Sequence, residues 1–148
     1  MIRLATLADV DALVTMGERF IASTPYQAHL RSNPVALRAT AQKLIESPTG
    51  EIFVYTVGDA PAGMMGVGTF EHPMSGEQTA GELCWWVEPT HRATLGRVAF
   101  RLIDRFEAWA QEHQAAVVQL VAPTPEVGAL YSRLNYVPIE TTWQRRVA

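Results

Sequence analysis

Cysteine is almost missing from this chain of 148 residues; Cys84 stands alone. A single thiol excludes an internal disulfide framework and a cysteine-rich zinc site. Long apolar runs are missing too, and none approaches the length that spans a membrane. The opening MIRLATLADV lacks the basic start and extended apolar stretch of a secretion signal. The expectation is therefore a protein of the reducing cytoplasm with no membrane partner. There is no excess of positive charge: 12 Lys and Arg stand against 15 Asp and Glu, for a net charge of −3. Nucleic acid is thus not an expected partner, and any anion site must be local. His29, His72, His91 and His113 are scattered without metal-ligand spacing, so no metal site is expected. Internal repeats and low-complexity linkers are absent.

What is present fits one domain spanning 1–148. Hydrophobic residues make up 48% and charged residues 18%, enough to bury a sizeable core. Ile2 and Leu4 alternate within Met1–Ala5 and predict a short strand. Thr6 with Asp9 predicts a helix cap, and Val10, Leu13, Val14 and Phe20 recur at helical spacing, giving a helix over Leu7–Ile21. Ser23–Asn33 reads as a loop. Asn33–Pro34 is a cap with proline at the first helical position, ahead of a helix lined by Leu37, Ala41, Leu44 and Ile45. Strands are predicted at Glu51–Val57, Gly63–Glu71 and Glu82–Val87. Gly63, Gly66 and Gly68 in the second predict a bulge or a close backbone approach. Leu95, Val98, Leu102, Ile103, Phe106 and Ala110 predict a helix ending near His113. Ala115–Ala122 is a continuous apolar run, as in a buried central strand. Thr124, Pro125 and Asn135 bracket a last helix, and YVPIETTWQRRV predicts a closing strand. The order β-α-α-β-β-β-α-β-α-β implies an α/β (α+β mixed) fold. Its sheet is mixed, with a parallel pair across the crossover helix and helices on its faces.

The stretch HRATLGRVAFRL, His91–Leu102, leads from a strand into a helix. Such a loop aims free N–H groups and the positive end of the helix dipole at one point, where an anion binds. Arg92 precedes the loop and Arg97 follows Gly96. Arg97, Arg101 and Arg105 lie four residues apart on one stripe. For Arg101 and Arg105 the alternative is a solvated face pairing with Asp104 or Glu107; Arg97, at the first turn, suits the anion.

Two motifs flank the apolar run. Val87-Glu88-Pro89 ends a strand just before the loop, and LYSRLNY, Leu130–Tyr136, lies on the last helix. Together they resemble the GNAT superfamily of acyl-CoA-dependent N-acyltransferases, and the resemblance spans nearly the whole chain. The first matches the V-x-P that precedes the pyrophosphate loop. The second matches L-Y-x-x-x-G-[FY], with Asn135 for glycine, a residue that tolerates the left-handed conformation. The loop departs from R-G-x-G-x-G: Arg92-Ala93-Thr94-Leu95-Gly96 is one residue shorter and keeps only the last glycine. Thr124 stands where many members have asparagine.

The resemblance implies a GNAT-like, mostly antiparallel sheet with a splayed parallel pair, acetyl-CoA as cosubstrate, and direct acetyl transfer to a primary amine. It assigns cofactor contacts to Trp85, Trp86, Val87, Arg92, Ala93, Thr94, Leu95, Gly96, Arg97 and Thr124. Backbone N–H groups of Trp85 and Val87 would polarise the thioester carbonyl. Tyr131 takes the place of the general acid; the residue alone reads as a core tyrosine, and the motif turns that reading towards catalysis. Glu82 is either the general base or a solvated strand-start carboxylate, and its role depends on strand parity. Gln119 stands where some relatives have a base and cannot be one; water relaying the proton is the other route. Tyr26 and Glu71 are the candidates for acceptor contact. Trp85 and Trp86 should face opposite sides of the sheet, and Cys84 reads as packing rather than nucleophile. The acceptor, a small-molecule or peptide amine, stays open. So does a homodimer, with which the resemblance is compatible. A non-catalytic GNAT-like binding or structural module with a weakened CoA site is the alternative, motivated by the glycine-poor loop.

Overall fold

The computed structural model describes the backbone of residues 1–148 and the side chains of all but residues 93–96. Its elements are β1 (Ile2–Leu4), α1 (Val10–Ala22), α2 (Pro34–Glu46), β2 (Gly50–Val57), β3 (Ala60–Glu71), β4 (Gln78–Val87), α3 (Leu95–Glu112), β5 (Val117–Gln119) and α4 (Pro125–Arg133). A 3-10 turn at Leu7–Asp9 leads into α1, and another at Pro25–Ala28 joins α1 to α2. Side chains cap α2 and α4 as their sequence implies. Asn33 accepts from the N–H groups of Val35 and Ala36 at 3.0 and 3.2 Å, which supplies partners for two orphan donors of α2. Asp9 accepts from Thr6 N at 2.8 Å and from both Arg3 guanidinium nitrogens at 2.8 Å. The Arg3 pairing holds the Asp9 carboxyl down at a pKa of about 2.

One sheet runs in the order β1-β2-β3-β4-β5. β1 pairs antiparallel with β2 after the two intervening helices, hairpins make β2, β3 and β4 antiparallel, and the crossover through α3 makes β4 and β5 parallel. α1 and α2 cover one face, where Leu13, Met16 and Ala41 meet Ile52, Val54, Met64 and Trp86. α3 and α4 cover the other, where Leu102, Ile103, Phe106 and Tyr131 meet Phe53, Met65, Val67 and Val87. Asn135, at φ 64°, is the left-handed stop after α4.

A bulge in β4 sets which residues share a face. Gly66 pairs with Cys84 and Val67 with Glu82, so Leu83 is the extra residue. Before it, Ala80 faces α3; beyond it, Trp85 and Val87 face α3 and α4, while Cys84 and Trp86 face α1 and α2. The expected irregularity beside the β3 glycines is met twice: Tyr55 pairs with Gly63 and Thr56 with Pro61, which leaves Ala62 as an extra residue on β3, and the second bulge falls opposite Gly66, on β4. Gly63 has its own reason: a Cβ there would stand 3.0 Å from the Trp86 carbonyl oxygen, too close for backbone that cannot yield.

Two strand expectations are corrected. β5 is not a buried central strand: it pairs with β4 only at Val117–Gln119 and ends the sheet, with Val117 and Val121 exposed. Its apolar run is only half covered because β4 diverges after Gly81. Residues 136–148 form no strand, although their pattern alternates. A strand needs backbone bonds to a neighbouring edge, and among the described residues 137–148 share none.

Phe106 is fully buried under the sheet and Val35 is exposed on α2. Phe106→Ala is expected to lower stability by about 3–5 kcal/mol and Val35→Ala to change it by less than about 0.5 kcal/mol, both read from urea unfolding midpoints.

Candidate active site

Parallel pairing between β4 and β5 ends at Gly81–Gln119. From Glu82 to Val87, β4 continues against β3 but has no strand on its other side. The strands splay, and a cavity of about 230 Å³ opens between them. Glu82, Trp85, Trp86 and Val87 line it from β4, Val121 and Thr124 from beyond β5, and Phe20 and Tyr26 from the α1–α2 side. Phe20 and Tyr26 lie with ring centroids 5.9 Å apart, an apolar wall.

A short hydrogen-bond network braces the splay. Tyr131, on α4, donates its hydroxyl to the Val121 carbonyl at 3.0 Å and accepts the Trp85 indole N–H at 2.7 Å. The Val121 N–H donates to a Glu82 carboxylate oxygen at 2.9 Å. Val121 thus offers both backbone groups to side chains where a continuing strand would have bonded them. The β4 bulge makes this possible, because it brings Glu82 and Trp85 to the face that Tyr131 occupies.

Burial tunes both acids. Desolvation raises the Glu82 carboxyl to a pKa of about 7, against the opposing hydrogen bond from Val121. Desolvation also raises Tyr131, with the nearby Glu82 charge adding to it. Tyr131 therefore holds its proton at neutral pH, while Glu82 exchanges one readily. Cys84, buried mid-strand, is pushed up to about 12 by desolvation. It is a packing residue and no thiolate.

The other sequence candidates land as follows. Thr124 caps α4, accepting from Val127 N at 3.5 Å, and faces the cavity. Arg92 lies with its guanidinium carbon 4.3 Å from the Trp86 ring centroid and donates to the Val87 carbonyl at 2.9 Å. Arg97 and Arg101 are exposed, without an acidic partner among the described residues. Arg105 pairs with Glu112 at 3.6 Å, not with Asp104 or Glu107; Glu107 instead accepts from Tyr136. Ala93, Thr94, Leu95 and Gly96 lie outside the described residues. Glu71 is not brought to the cavity. It is exposed and pairs with Gln78, four residues before Glu82 along β4, or about 13 Å. Among the described residues no cluster of His, Cys, Asp and Glu suits a metal. No helix is long and apolar enough to cross a membrane. Sequence reasoning missed Val121, whose contribution is backbone and carries no residue signal. It also missed Phe20 and Glu126, which line the cavity by virtue of tertiary placement.

A five-stranded, mostly antiparallel sheet opened at one parallel pair is the fold of the GNAT superfamily. Solved structures share it along nearly their whole length. A transcriptional regulator from Bacillus halodurans C-125 superposes with a TM-score of 0.82 at 18% identity, over 99% of both chains. A predicted acetyltransferase with acetyl-CoA from Clostridium acetobutylicum gives 0.80 at 14% identity, over 99% of this chain and 95% of that one. A ribosomal-protein-alanine N-acetyltransferase from Brucella melitensis biovar Abortus 2308 gives 0.73 at 20% identity, over 99% of both. At such identities the likeness is one of fold. No protein-family model matches the sequence, and no curated protein sequence matches it.

The raised Glu82 pKa carries a stability signature. Between about pH 4 and pH 7 the folded chain holds a proton that the unfolded chain has lost, so stability falls as pH rises through that window and levels off above it. Glu82→Gln keeps the acceptor for Val121 and removes the titration. It is expected to match the wild type at pH 4 and to exceed it by about 3 kcal/mol at pH 8, read from denaturant midpoints across pH.

Proposed function

We propose that this protein is an N-acetyltransferase that moves acetyl from acetyl-CoA to a primary amine in the β4–β5 cavity. The observation that carries the reading is the pairing of an exchangeable carboxyl, Glu82, with a protonated phenol, Tyr131, through Val121 at the mouth of the splay. Two features support acetyl-CoA as the substrate held there. β4 leaves backbone groups of Glu82–Val87 without a strand partner, and these suit the amides of a pantetheine arm. The Trp86 indole N–H is buried without an acceptor among the described residues, a donor that a bound carbonyl would satisfy.

In this reading Glu82 takes a proton from the incoming ammonium, and the neutral amine then attacks the thioester carbon. A pKa of about 7 suits a base working near neutrality. Backbone N–H groups of β4 stabilise the oxyanion that forms. The C–S bond then breaks, the departing thiolate takes the hydroxyl proton of Tyr131, which turns from the Val121 carbonyl to reach it, and the proton that the nitrogen sheds on becoming an amide restores the phenol. A phenol raised by burial is a weak acid, and two effects restore the match. The thiolate is desolvated in the same place, which raises its own pKa. In addition, Glu82, once protonated, no longer opposes the phenolate. Glu82 and Glu126 line the cavity together with Arg92, whose guanidinium stacks on Trp86, so two carboxyl groups against one cation favour a cationic amine beside an aromatic wall.

Acetyl-CoA at 100 times its dissociation constant is expected to stabilise the chain by about 2.7 kcal/mol, seen as a rise in Tm. The absence of any shift at millimolar acetyl-CoA would sink the proposal and favour a non-catalytic module. With an accepted amine in hand, Tyr131→Phe is expected to reduce kcat by about 10²–10⁴-fold while acetyl-CoA affinity stays near that of the wild type. Unchanged turnover would remove the acid role.

A further inference from the structure

Trp85 and Trp86 are neighbours in the sequence, yet their indole N–H groups meet different fates. Trp86 lies on the α1–α2 face, and its N–H is buried without an acceptor among the described residues. Trp85, turned by the bulge at Leu83 to the α3–α4 face, donates to the Tyr131 hydroxyl oxygen at 2.7 Å. An indole N–H donates and cannot accept. It therefore sets the orientation of its partner. The Tyr131 oxygen receives the Trp85 hydrogen, so its own hydrogen must point elsewhere, and it points to the Val121 carbonyl at 3.0 Å.

This arrangement suits an acid. A hydroxyl hydrogen swings by rotation about the C–O bond, with ring and oxygen left in place. As the Tyr131 hydrogen turns away from Val121, the oxygen keeps its bond to Trp85. Once the proton has gone, an N–H faces a phenolate, and a charge-assisted bond of that kind is roughly twice as strong as the neutral one. The bond strengthens as charge develops on the oxygen, which is the condition for lowering a barrier. The surroundings otherwise oppose that charge: burial pushes the phenol up, the Glu82 and Tyr136 charges push the same way, and the Trp85 bond pulls down. The nearby Val121 N–H is already given to Glu82. Among the described residues no group but Trp85 donates to the Tyr131 oxygen.

We propose, resting on the acetyl-transfer reading, that the Trp85 side chain is a positioning residue of that reaction. Its N–H holds the Tyr131 oxygen at the splay and stabilises the phenolate for as long as it exists. That interval opens when the O–H bond breaks and the thiolate sulfur gains the proton. It closes when the nitrogen that becomes an amide returns a proton to the oxygen. Trp85 acts through Tyr131 and takes no proton itself. The β4 bulge then has a chemical purpose: without the extra residue Leu83, the indole would stand on the other face of the sheet, away from Tyr131.

Trp85→Phe keeps an aromatic ring on the core face and removes the donor. With an accepted amine it is expected to lower kcat about tenfold, while the acetyl-CoA Kd and the amine KM stay within about twofold of the wild type. Benzothienylalanine in place of Trp85, with sulfur where the N–H stood, is expected to do the same should the Phe variant fold poorly. Difluorotyrosine in place of Tyr131 supplies a more acidic phenol, whose absorbance is read apart from the other tyrosines. Its titration midpoint is expected to lie about one unit higher in Trp85→Phe than beside Trp85. It is also expected to restore much of the kcat that Trp85→Phe loses. An unchanged kcat in an active enzyme overturns the proposal and leaves acetyl transfer standing. So does a midpoint that ignores Trp85, or a loss of kcat matched by a loss of acetyl-CoA affinity, which marks a merely structural role. A wild type that transfers acetyl to no amine overturns the proposal together with the reading it rests on.

Discussion

The parting of β4 from β5 is the constraint on which this molecule turns. Two parallel strands that diverge expose backbone groups that must find partners, because buried unpaired amides and carbonyls are costly. Here the partners are side chains. Glu82 accepts from Val121 N, and Tyr131 donates to Val121 O while accepting from Trp85. The gap is thereby held open by bonds instead of closing into a longer ladder. The same bonds bury a carboxyl and a phenol side by side. Structure and chemistry have one cause: what braces the splay is what would transfer protons in it.

The bulge at Leu83 makes that brace possible. With regular alternation, Glu82 and Trp85 would lie on opposite faces. One extra residue brings Trp85 round to join Glu82 and Val87 beneath α4, and sends Trp86 to the α1–α2 side. The desolvation that results lifts Glu82 to about 7 and raises Tyr131. The two groups then influence each other's protonation, so a proton gained by one eases the loss of a proton from the other. A solvent-exposed Glu82 would have neither property.

Much of this was legible in the chain. Capping pairs, proline at first helical turns and the left-handed Asn135 mark helix ends through local bonding alone; α1, α2 and α4 lie where those signals put them, and α3 where its apolar spacing does. Val87-Glu88-Pro89 and Leu130–Tyr136 pointed to the cavity because each motif sits on an element that borders it. Glu71 lies away from the cavity because adjacency in a hairpin says nothing of distance along the partner strand. β5 looks central in the sequence because an apolar run is the same whether it is fully covered or left partly exposed. The closing segment has the period of a strand, yet among the described residues 137–148 share no backbone–backbone hydrogen bond, and a period alone cannot supply a neighbouring edge.

Local chemistry belongs to the sequence: which residues can cap, which alternate, which can carry a proton. These follow from side-chain type and from periods of 3.6 and 2, which act over a few residues. Relations across the sheet were decided only in three dimensions. The bulge that turns Trp85, the backbone of Val121 as a double partner and the pKa of Glu82 all depend on which strand lies next to which. Burial and register arise from contacts between distant segments, and neither is a property of any residue by itself.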